Sequence, residues 1–420
     1  MLPKIGHLPR SCKRFFRCAR KIVGACRFEH LWRVVVLLAS VHGRRSLSKL
    51  ENTTGRRRTR QAISHFLTQA EWDAPELLRQ KADDTLRLLG WRTGETLYAI
   101  LDDTQKRKRA KRMDAVKKLF LHAEKVYAPG HTIVGCALVY RGVVIPYAVR
   151  LWAPKEFCRQ SRQSGTGQES VKFRKITELG AEMLRDVTLP SRGKVIALFD
   201  SYYLCPAVVG ACATRNFSYV GVAKKNRNFF PDGRDRDKRK LGRYGPKALR
   251  RHGRARTLQG KKYRLAERLG RLSKAGRVKL VFSRRGRERQ WIAMATNRLR
   301  WSAKTVLSHY LKRWGIEVFF KMSKQYLGLG DYQVLRYRAV ERYLHLVLIA
   351  YLLLTHLALA APDAQAEIKN TRHDLRLPSI PQLQQRLRET LIREALTNLE
   401  KRPRLRSFAR KMKELFAMSG

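Results

Sequence analysis

The segment Tyr343–Ala361 limits the folds available to this chain more than any other part of the sequence. It reads YLHLVLIAYLLLTHLALAA and is apolar on every side of a helix. Such a helix either crosses a membrane or lies at the centre of a large core. His345, Thr355 and His356 interrupt the apolar run, and the sequence offers no second span to pair with it. We therefore expect a buried core helix and no membrane.

The chain carries far more positive charge than a soluble protein needs. Of its 420 residues, 90 are Lys or Arg and 33 are Asp or Glu, which gives a formal net charge of +57. A surface this basic favours a polyanionic partner, and nucleic acid is a better candidate than an anionic membrane. Because 44% of the residues are hydrophobic, the chain can still bury a core, and global disorder is excluded.

The seven cysteines are scattered along the chain and contain no Cys-x-x-Cys pair. A disulfide scaffold is not expected at this chain length, so the cysteines indicate a reducing compartment. The basic first 30 residues contain no continuous apolar region of the kind found in secretory signals.

The middle of the chain predicts a mixed α/β fold. Over residues 93–223, short apolar strands alternate with a hairpin and helices, which is typical of a mixed sheet covered by helices. Residues 224–300 interrupt this pattern with a basic segment that contains strand-like runs. Residues 301–362 return to a helical pattern, and residues 363–420 form a basic helical tail.

Residues 1–92 are predicted to be a helical, basic DNA-binding region. The turn Asn52–Arg60 reads NTTGRRRTR and precedes an amphipathic helix. A basic turn leading into a helix is typical of helix-turn-helix DNA readers. A helical bundle with a solvated basic face is the alternative interpretation.

Two places in this acid-poor chain put carboxylates directly after a buried strand. Asp102 and Asp103 follow ETLYAIL, and Asp200 follows KVIALF. Carboxylates at the ends of adjacent strands converge at one edge of a sheet, where they form the oxygen ligands that Mg²⁺ prefers. Strand-end capping by solvated carboxylates is the alternative. Strand alternation turns Asp102 and Asp103 to opposite faces, and the sequence does not decide which one faces the site.

The segment His309–Lys324, HYLKRWGIEVFFKMSK, gives the strongest signal. On one continuous helix, Tyr310, Arg313, Glu317 and Lys324 share an arc of about 60°. The Glu can bind a metal ion, the two cations can neutralise phosphates, and the Tyr can hydrogen-bond or stack. An intrahelical salt-bridge ladder is the alternative. The apolar residues at other angles are predicted to be largely buried: Leu311, Trp314, Ile316, Val318 and Phe319.

The spacing Tyr-x2-Arg-x3-Glu-x6-Lys resembles the signature of DDE transposases from bacterial insertion sequences, and all four positions match. The sequences LDDT at 101–104, FDSYY at 199–203 and GLGDYQV at 328–334 also resemble that family. The resemblance covers roughly residues 30–360, and the Glu motif is its specific part.

The resemblance implies a ribonuclease-H-like core with a mostly β insertion between the second Asp and the Glu, where the basic segment 224–300 falls. It implies that Asp103, Asp200 and Glu317 are the catalytic residues and bind Mg²⁺, for which Mn²⁺ may substitute. The choice of Asp103 over Asp102 depends only on the Thr that follows it.

The resemblance also implies DNA-binding roles for several side chains. Arg313 and Lys324 would bind phosphates near the cut, and Tyr310 would contact the backbone beside the scissile bond. Trp291 would stack on a base flipped out of the duplex. A place in a strand core is the alternative for Trp291. The arginines of the N-terminal turn would recognise the terminal inverted repeats: Arg56, Arg57, Arg58 and Arg60.

The implied reaction is metal-dependent cleavage of double-stranded DNA at transposon ends, followed by strand transfer into target DNA. A homodimer would hold both ends in a synaptic complex in the bacterial cytoplasm, associated with the nucleoid. ATP is not expected, because the sequence has no Gly-x4-Gly-Lys-[Ser/Thr] motif.

Three alternatives stay open. The protein could be a catalytically inactive repressor derived from a transposase, or a ribonuclease-H-like structure-specific nuclease. It could also be a membrane protein anchored by Tyr343–Ala361.

Overall fold

The computed structural model describes residues 7–41, 43, 60–109, 112–163, 170–231, 237–286, 288–401 and 405–418. The fold is mixed α/β, with 48% of the described residues helical and 24% in strands, which confirms the predicted fold class. Contacts divide the chain into two units. The sheet unit comprises Trp91–Lys108 and Ala115–Val318, and the helical unit comprises Met1–Gly90, Arg109–Asp114 and Phe319–Gly420.

The sheet unit contains a 12-stranded mixed sheet with the order β2-β3-β1-β5-β6-β12-β11-β10-β7-β8, in which β4 pairs with β3 and β9 with β10. The strands are β1 (Thr96–Arg107), β2 (Lys117–Leu121), β3 (Val126–Tyr140), β4 (Val143–Leu151), β5 (Lys194–Phe199), β6 (Ser218–Ala223), β7 (Asn228–Phe230), β8 (Arg239–Lys240), β9 (Arg254–Leu258), β10 (Lys261–Leu272), β11 (Gly276–Arg285) and β12 (Trp291–Thr296).

The described helices follow in chain order. They are α1 (Lys13–Phe16), α2 (Ala19–Val23), α3 (Ala25–Ser40), α4 (Arg60–Thr68), α5 (Ala74–Leu88), α6 (Lys155–Gln163), α7 (Ile176–Arg185), α8 (Pro206–Thr214), α9 (Leu241–His252), α10 (Ala303–Leu311), α11 (Trp314–Met322), α12 (Tyr337–Leu359), α13 (Pro362–Asn370), α14 (Ile380–Glu400) and α15 (Arg406–Met418).

The centre of the sheet unit has the arrangement expected of a ribonuclease-H-like core. Strand β1 pairs in parallel with β5 and antiparallel with β3, and β5 pairs in parallel with β6. The parallel pairs are nearly continuous apolar runs, as is usual for strands buried on both faces.

The basic insertion continues this sheet. Strand β12 pairs antiparallel with β6, and β11 and β10 extend the ladder from there. The strand-like runs predicted at Lys279–Ser283 and Trp291–Thr296 lie in β11 and β12. The helix α9 is an addition that the sequence pattern did not predict.

The helical unit is built around α12, against which α3, α4, α5 and α14 pack. Among the described residues, α12 is the helix long and apolar enough to cross a membrane, but 83% of its most apolar window is buried inside the protein. The prediction of a buried core helix is therefore confirmed.

Several predicted boundaries are wrong. The first strand was expected to end at Leu101, but β1 continues to Arg107 because β3 pairs with it as far as Gly130. The sequence from residue 168 to residue 187 also predicts one helix, whereas α7 spans only Ile176–Arg185 among the described residues. Strand β2 and helix α6 were not predicted. Both are short, with three apolar residues in β2 and two in α6, too few to establish a period.

Two helical glycines test how tightly the sheet unit is packed. A Cβ at Gly180 in α7 would lie 2.8 Å from Cε1 of the buried Tyr203 and 3.3 Å from Cδ1 of Leu101. Gly180→Ala is expected to destabilise the fold by about 1–3 kcal/mol, because the packed ring must move. Gly210 in α8 has open space around it. Gly210→Ala should therefore stabilise by about 0.5–1 kcal/mol through helix propensity.

Urea unfolding of both variants beside the wild type measures this difference. Equal effects of the two substitutions would contradict the packing described around Tyr203.

Candidate active site

The register between β1 and β5 brings two carboxylates to neighbouring positions. The parallel pairing ends at the pair Leu101 and Phe199, and the next residue on each strand is Asp102 and Asp200. The predicted convergence of acids at one edge of the sheet is thus present for this pair.

Asp102 and Asp103 serve opposite faces of β1, as strand alternation requires. Asp102 shares its face with Tyr98, whose hydroxyl lies 3.0 Å from Nδ1 of His309 in α10. Asp103 lies on the other face with Leu101, which packs near Gly180 of α7. The two acids therefore meet different neighbours.

On the first face, Arg313 links Asp102 to Glu317. Its Nη1 donates to Oδ2 of Asp102 at 2.9 Å, and its Nη2 contacts Oε1 of Glu317. The side chains of Arg313 and Asp102 are only 15% and 18% exposed. The guanidinium also lies 5.8 Å from the ring centroid of Tyr310. Arg313 therefore joins two other signature residues, Tyr310 and Glu317, to an acid of β1.

On the second face, Tyr203 holds Asp103. The Tyr203 hydroxyl donates to Oδ1 of Asp103 at 3.1 Å. Asp200 fixes this loop in turn, because its Oδ1 accepts hydrogen bonds from the backbone N–H groups of Tyr202 at 2.9 Å and Tyr203 at 3.3 Å. Tyr203 therefore ties together the loop after β5 and the second acid of β1. It belongs to the FDSYY sequence, but its role could not be read from that motif.

The two acids of β1, Asp102 and Asp103, both have raised pKa values. Burial raises the pKa of Asp102 to about 7, although the Arg313 guanidinium opposes this and the charge of Asp200 adds to it. Burial also raises the pKa of Asp103, where the Tyr203 hydrogen bond opposes the effect and Asp200 again adds to it. The charge of Asp200 therefore disfavours ionisation of both acids. Additional positive charge nearby would favour their ionised forms.

The donor set fits a hard divalent cation in its chemistry. Buried carboxylates that repel one another are the ligands such ions require. Among the described residues, however, no group of three or more His, Cys, Asp or Glu side chains is arranged to hold an ion. Arg313 supplies the positive charge between Asp102 and Glu317 instead.

The predicted continuous helix over His309–Lys324 is wrong. Helix α10 ends at Leu311, a turn follows, α11 begins at Trp314, and a π-helical turn spans Ser323–Leu327. At the break, Gly315 lies so close to β4 that a Cβ there would be 3.1 Å from Cγ2 of Val144. The break places Arg313 in the turn, where it reaches both acids.

The same break changes which apolar side chains are buried. Ile316 and Phe319 are buried as predicted. Trp314 is 65% exposed and Val318 is 39% exposed, contrary to the prediction, because an ideal helical projection does not hold across the turn.

Trp291 lies in the insertion, at the start of β12. Its ring covers Gly245 of α9, and Nζ of Lys225 lies 4.8 Å from its centroid. It borders a cavity of about 610 Å³ whose other lining residues are mostly basic: Gly242, Arg243, Pro246, Lys247, Leu249, Arg250, Arg264, Arg284 and Arg289. The sequence did not predict this cavity, whose basic residues are spread over α9 and several strands.

The remaining predicted residues do not belong to the described part of the sheet unit. Lys324 is in the π-helical turn of the helical unit. Arg56, Arg57 and Arg58 lie outside the described residues, and Arg60 begins α4.

A comparison with models of known protein families found a match over most of the chain. A model described as DDE superfamily endonuclease matches residues 33–305, which is well over half of the chain. The match includes Asp102, Asp103 and Asp200 but ends before Tyr310, so the association of Glu317 with these acids rests on the structure. A search of curated proteins found no match.

The raised pKa of Asp102 predicts a pH-dependent stability in metal-free protein. A protonated Asp102 contributes stability that is fully present below the ordinary pKa of 3.8 and is lost as the pH rises through about 7. Asp102→Asn cannot ionise, so its stability relative to wild type should increase between about pH 5 and about pH 8.

Thermal unfolding with a chelator at both pH values measures this difference. Asp363→Asn, which also removes an Asp carboxylate but from an exposed position, serves as the control. An Asp102→Asn effect of equal size at both pH values would contradict the pKa shift.

Proposed function

Because the chain belongs to the DDE superfamily of endonucleases, we propose that it is a transposase that cuts DNA at transposon terminal inverted repeats and joins the ends to target DNA. The single observation that carries this proposal is the contact of Arg313 with both Asp102 and Glu317. It joins the Glu of the Tyr-x2-Arg-x3-Glu-x6-Lys signature to the acidic edge of the sheet.

Asp200 and Glu317 are proposed as two of the catalytic carboxylates. For the third, the Thr that follows Asp103 supports Asp103, and the shared face with Arg313 and Glu317 supports Asp102. We favour Asp102 as the third carboxylate and assign Asp103 to the support of the loop through Tyr203.

Enzymes of this superfamily generally use divalent metal ions. A bound Mg²⁺, or Mn²⁺ in its place, would polarise the phosphodiester and activate the attacking hydroxyl. Asp102, Asp200 and Glu317 would hold it. Arg313 carries the charge that a DNA phosphate attracts, so phosphate binding competes with its contacts to Asp102 and Glu317.

The other DNA contacts follow from the same proposal. Tyr310 would contact the backbone next to the cut, and Lys324 a phosphate. Trp291, at the border of the basic cavity, would stack on a flipped base. We further propose a homodimer that holds both transposon ends, acts without ATP and is associated with the bacterial nucleoid.

The first test is cleavage of DNA that carries the sequences flanking the gene, in the presence of Mg²⁺. Wild type should nick this DNA at the element boundary, and Glu317→Gln should lose more than about 100-fold of the rate, because a neutral amide is a poor ligand for a divalent ion. Asp102→Asn should lose as much, and Asp103→Asn less.

Each contrary outcome identifies an alternative. Cleavage that survives in Glu317→Gln moves the active site elsewhere and favours an unrelated nuclease. Binding of the ends by wild type without any cleavage favours an inactive repressor. A greater loss in Asp103→Asn than in Asp102→Asn returns the third carboxylate to Asp103.

The second test concerns Arg56, Arg57 and Arg58, which lie outside the described residues. Replacing Arg56, Arg57 and Arg58 by Ala should weaken binding to terminal-repeat DNA and reduce the slope of log K against log salt by about 0.9 for each lost phosphate contact. Replacing the same three residues by Lys preserves the charge, so the slope should persist while discrimination between repeat and random DNA falls.

Filter binding or fluorescence anisotropy at several salt concentrations gives both quantities. An unchanged slope in the triple Ala variant would show that these residues do not contact DNA.

A further inference from the structure

An exposed aromatic cluster sits on the hairpin formed by β2 and the start of β3. Phe120 and Tyr127 are register partners, and their ring centroids are 5.1 Å apart. His122, in the turn, lies edge-on to Phe120 at 5.2 Å. Tyr127 is 70% exposed and Phe120 is 37% exposed. We call these three residues the aromatic hairpin. Rings left this open indicate a binding surface more often than a core.

The turn of the aromatic hairpin is attached to β1 on the face that carries Asp103, opposite the face on which Asp102 meets Arg313. The backbone N–H of His122 donates to Oε1 of Gln105 at 3.2 Å, and Gln105 stands two positions beyond Asp103 on the same face of β1. Arg107 adds a second link through its 3.2 Å ion pair with Glu124 in the turn. Burial raises the pKa of Asp103, and attraction to His122 opposes that rise, in agreement with this proximity.

The hairpin that carries these rings is positively charged. Lys117, Lys118 and Lys125 are exposed on the hairpin. Glu124, the acid of the turn, is already paired with Arg107. A partner that offers flat faces together with negative charge fits this surface, and an unpaired nucleotide has both properties.

A second copy of the chain fits this surface less well. The cores of protein interfaces are depleted of lysine. The exposed lysines of two such hairpins would also repel each other across an interface.

We propose that the aromatic hairpin stacks an unpaired base of a DNA strand whose end reaches the acidic edge of the sheet. This inference rests on the proposed function and assigns to it a contact outside the signature residues. Tyr127 offers the most accessible face, and Phe120 and His122 fix its position. Its loss should lower affinity for DNA with unpaired ends by about 10-fold, since base stacking on an aromatic ring contributes that much or more.

The experiment uses the full chain with a chelator present, so that DNA is bound but not cut. The probes are a blunt duplex and the same duplex with a short single-stranded overhang that contains 2-aminopurine. Wild type and Tyr127→Phe should quench the 2-aminopurine fluorescence and prefer the overhang. Tyr127→Ala should lose the quenching and about 10-fold of the affinity for the overhang DNA, with the blunt duplex unaffected.

Val126→Ala is the matched control, because it shortens an exposed apolar side chain in the same hairpin without removing a ring. Its quenching should equal that of wild type. Thermal unfolding of each variant shows whether the protein still folds. Tyr127→Phe keeps an aromatic ring at this position and removes only the hydroxyl.

Two results would overturn the inference. One is quenching and overhang preference in Tyr127→Ala that match wild type. The other is a loss of self-association in Tyr127→Ala, seen by sedimentation, without any loss of quenching, which would assign the surface to a second copy. Failure of the proposed function looks different, because cleavage would then be absent in wild type while Tyr127-dependent quenching persisted.

Discussion

The repulsion between Asp102 and Asp200 is the constraint on which the site depends. Their strands run in parallel register, so backbone hydrogen bonding alone brings two like charges together at the edge of the sheet. Burial sharpens the conflict, as the raised pKa of Asp102 shows. The guanidinium of Arg313 offsets this repulsion. It reaches Asp102 because Arg313 lies in the break between α10 and α11. The carboxylates of the site therefore need a positive charge beside them, and the guanidinium of Arg313 supplies it.

Much of this arrangement could be predicted from the sequence. The apolar runs before Asp102 and Asp200 predicted two buried strands, and the uniformly apolar segment that became α12 predicted a core helix. These predictions succeeded because burial on all sides leaves a pattern that depends on no other part of the chain.

What failed depends on neighbours that lie far away in the sequence. The face that Asp102 takes follows from its pairing with β5, and the exposure of Trp314 follows from a helix break where Gly315 meets β4. The β2–β3 hairpin escaped prediction because Lys117–Leu121 is short and begins with two lysines. Tyr203 is part of the FDSYY sequence, but its hydrogen bond to Asp103 could not be predicted from that sequence. The bond depends on the conformation of the loop, which hydrogen bonds to Asp200 fix.

The pairing of β12 with β6 has a mechanical consequence. A domain joined to a core by a flexible linker can swing, and the strain it bears is dissipated in the linker. Here the insertion is joined to the acidic edge by a continuous ladder of backbone hydrogen bonds through β6 and β5 to β1. Sliding one strand past the next would break many of these bonds at once. A force on the insertion at the basic cavity beside Trp291 is therefore transmitted through β6 and β5 to β1, the strand that carries Asp102.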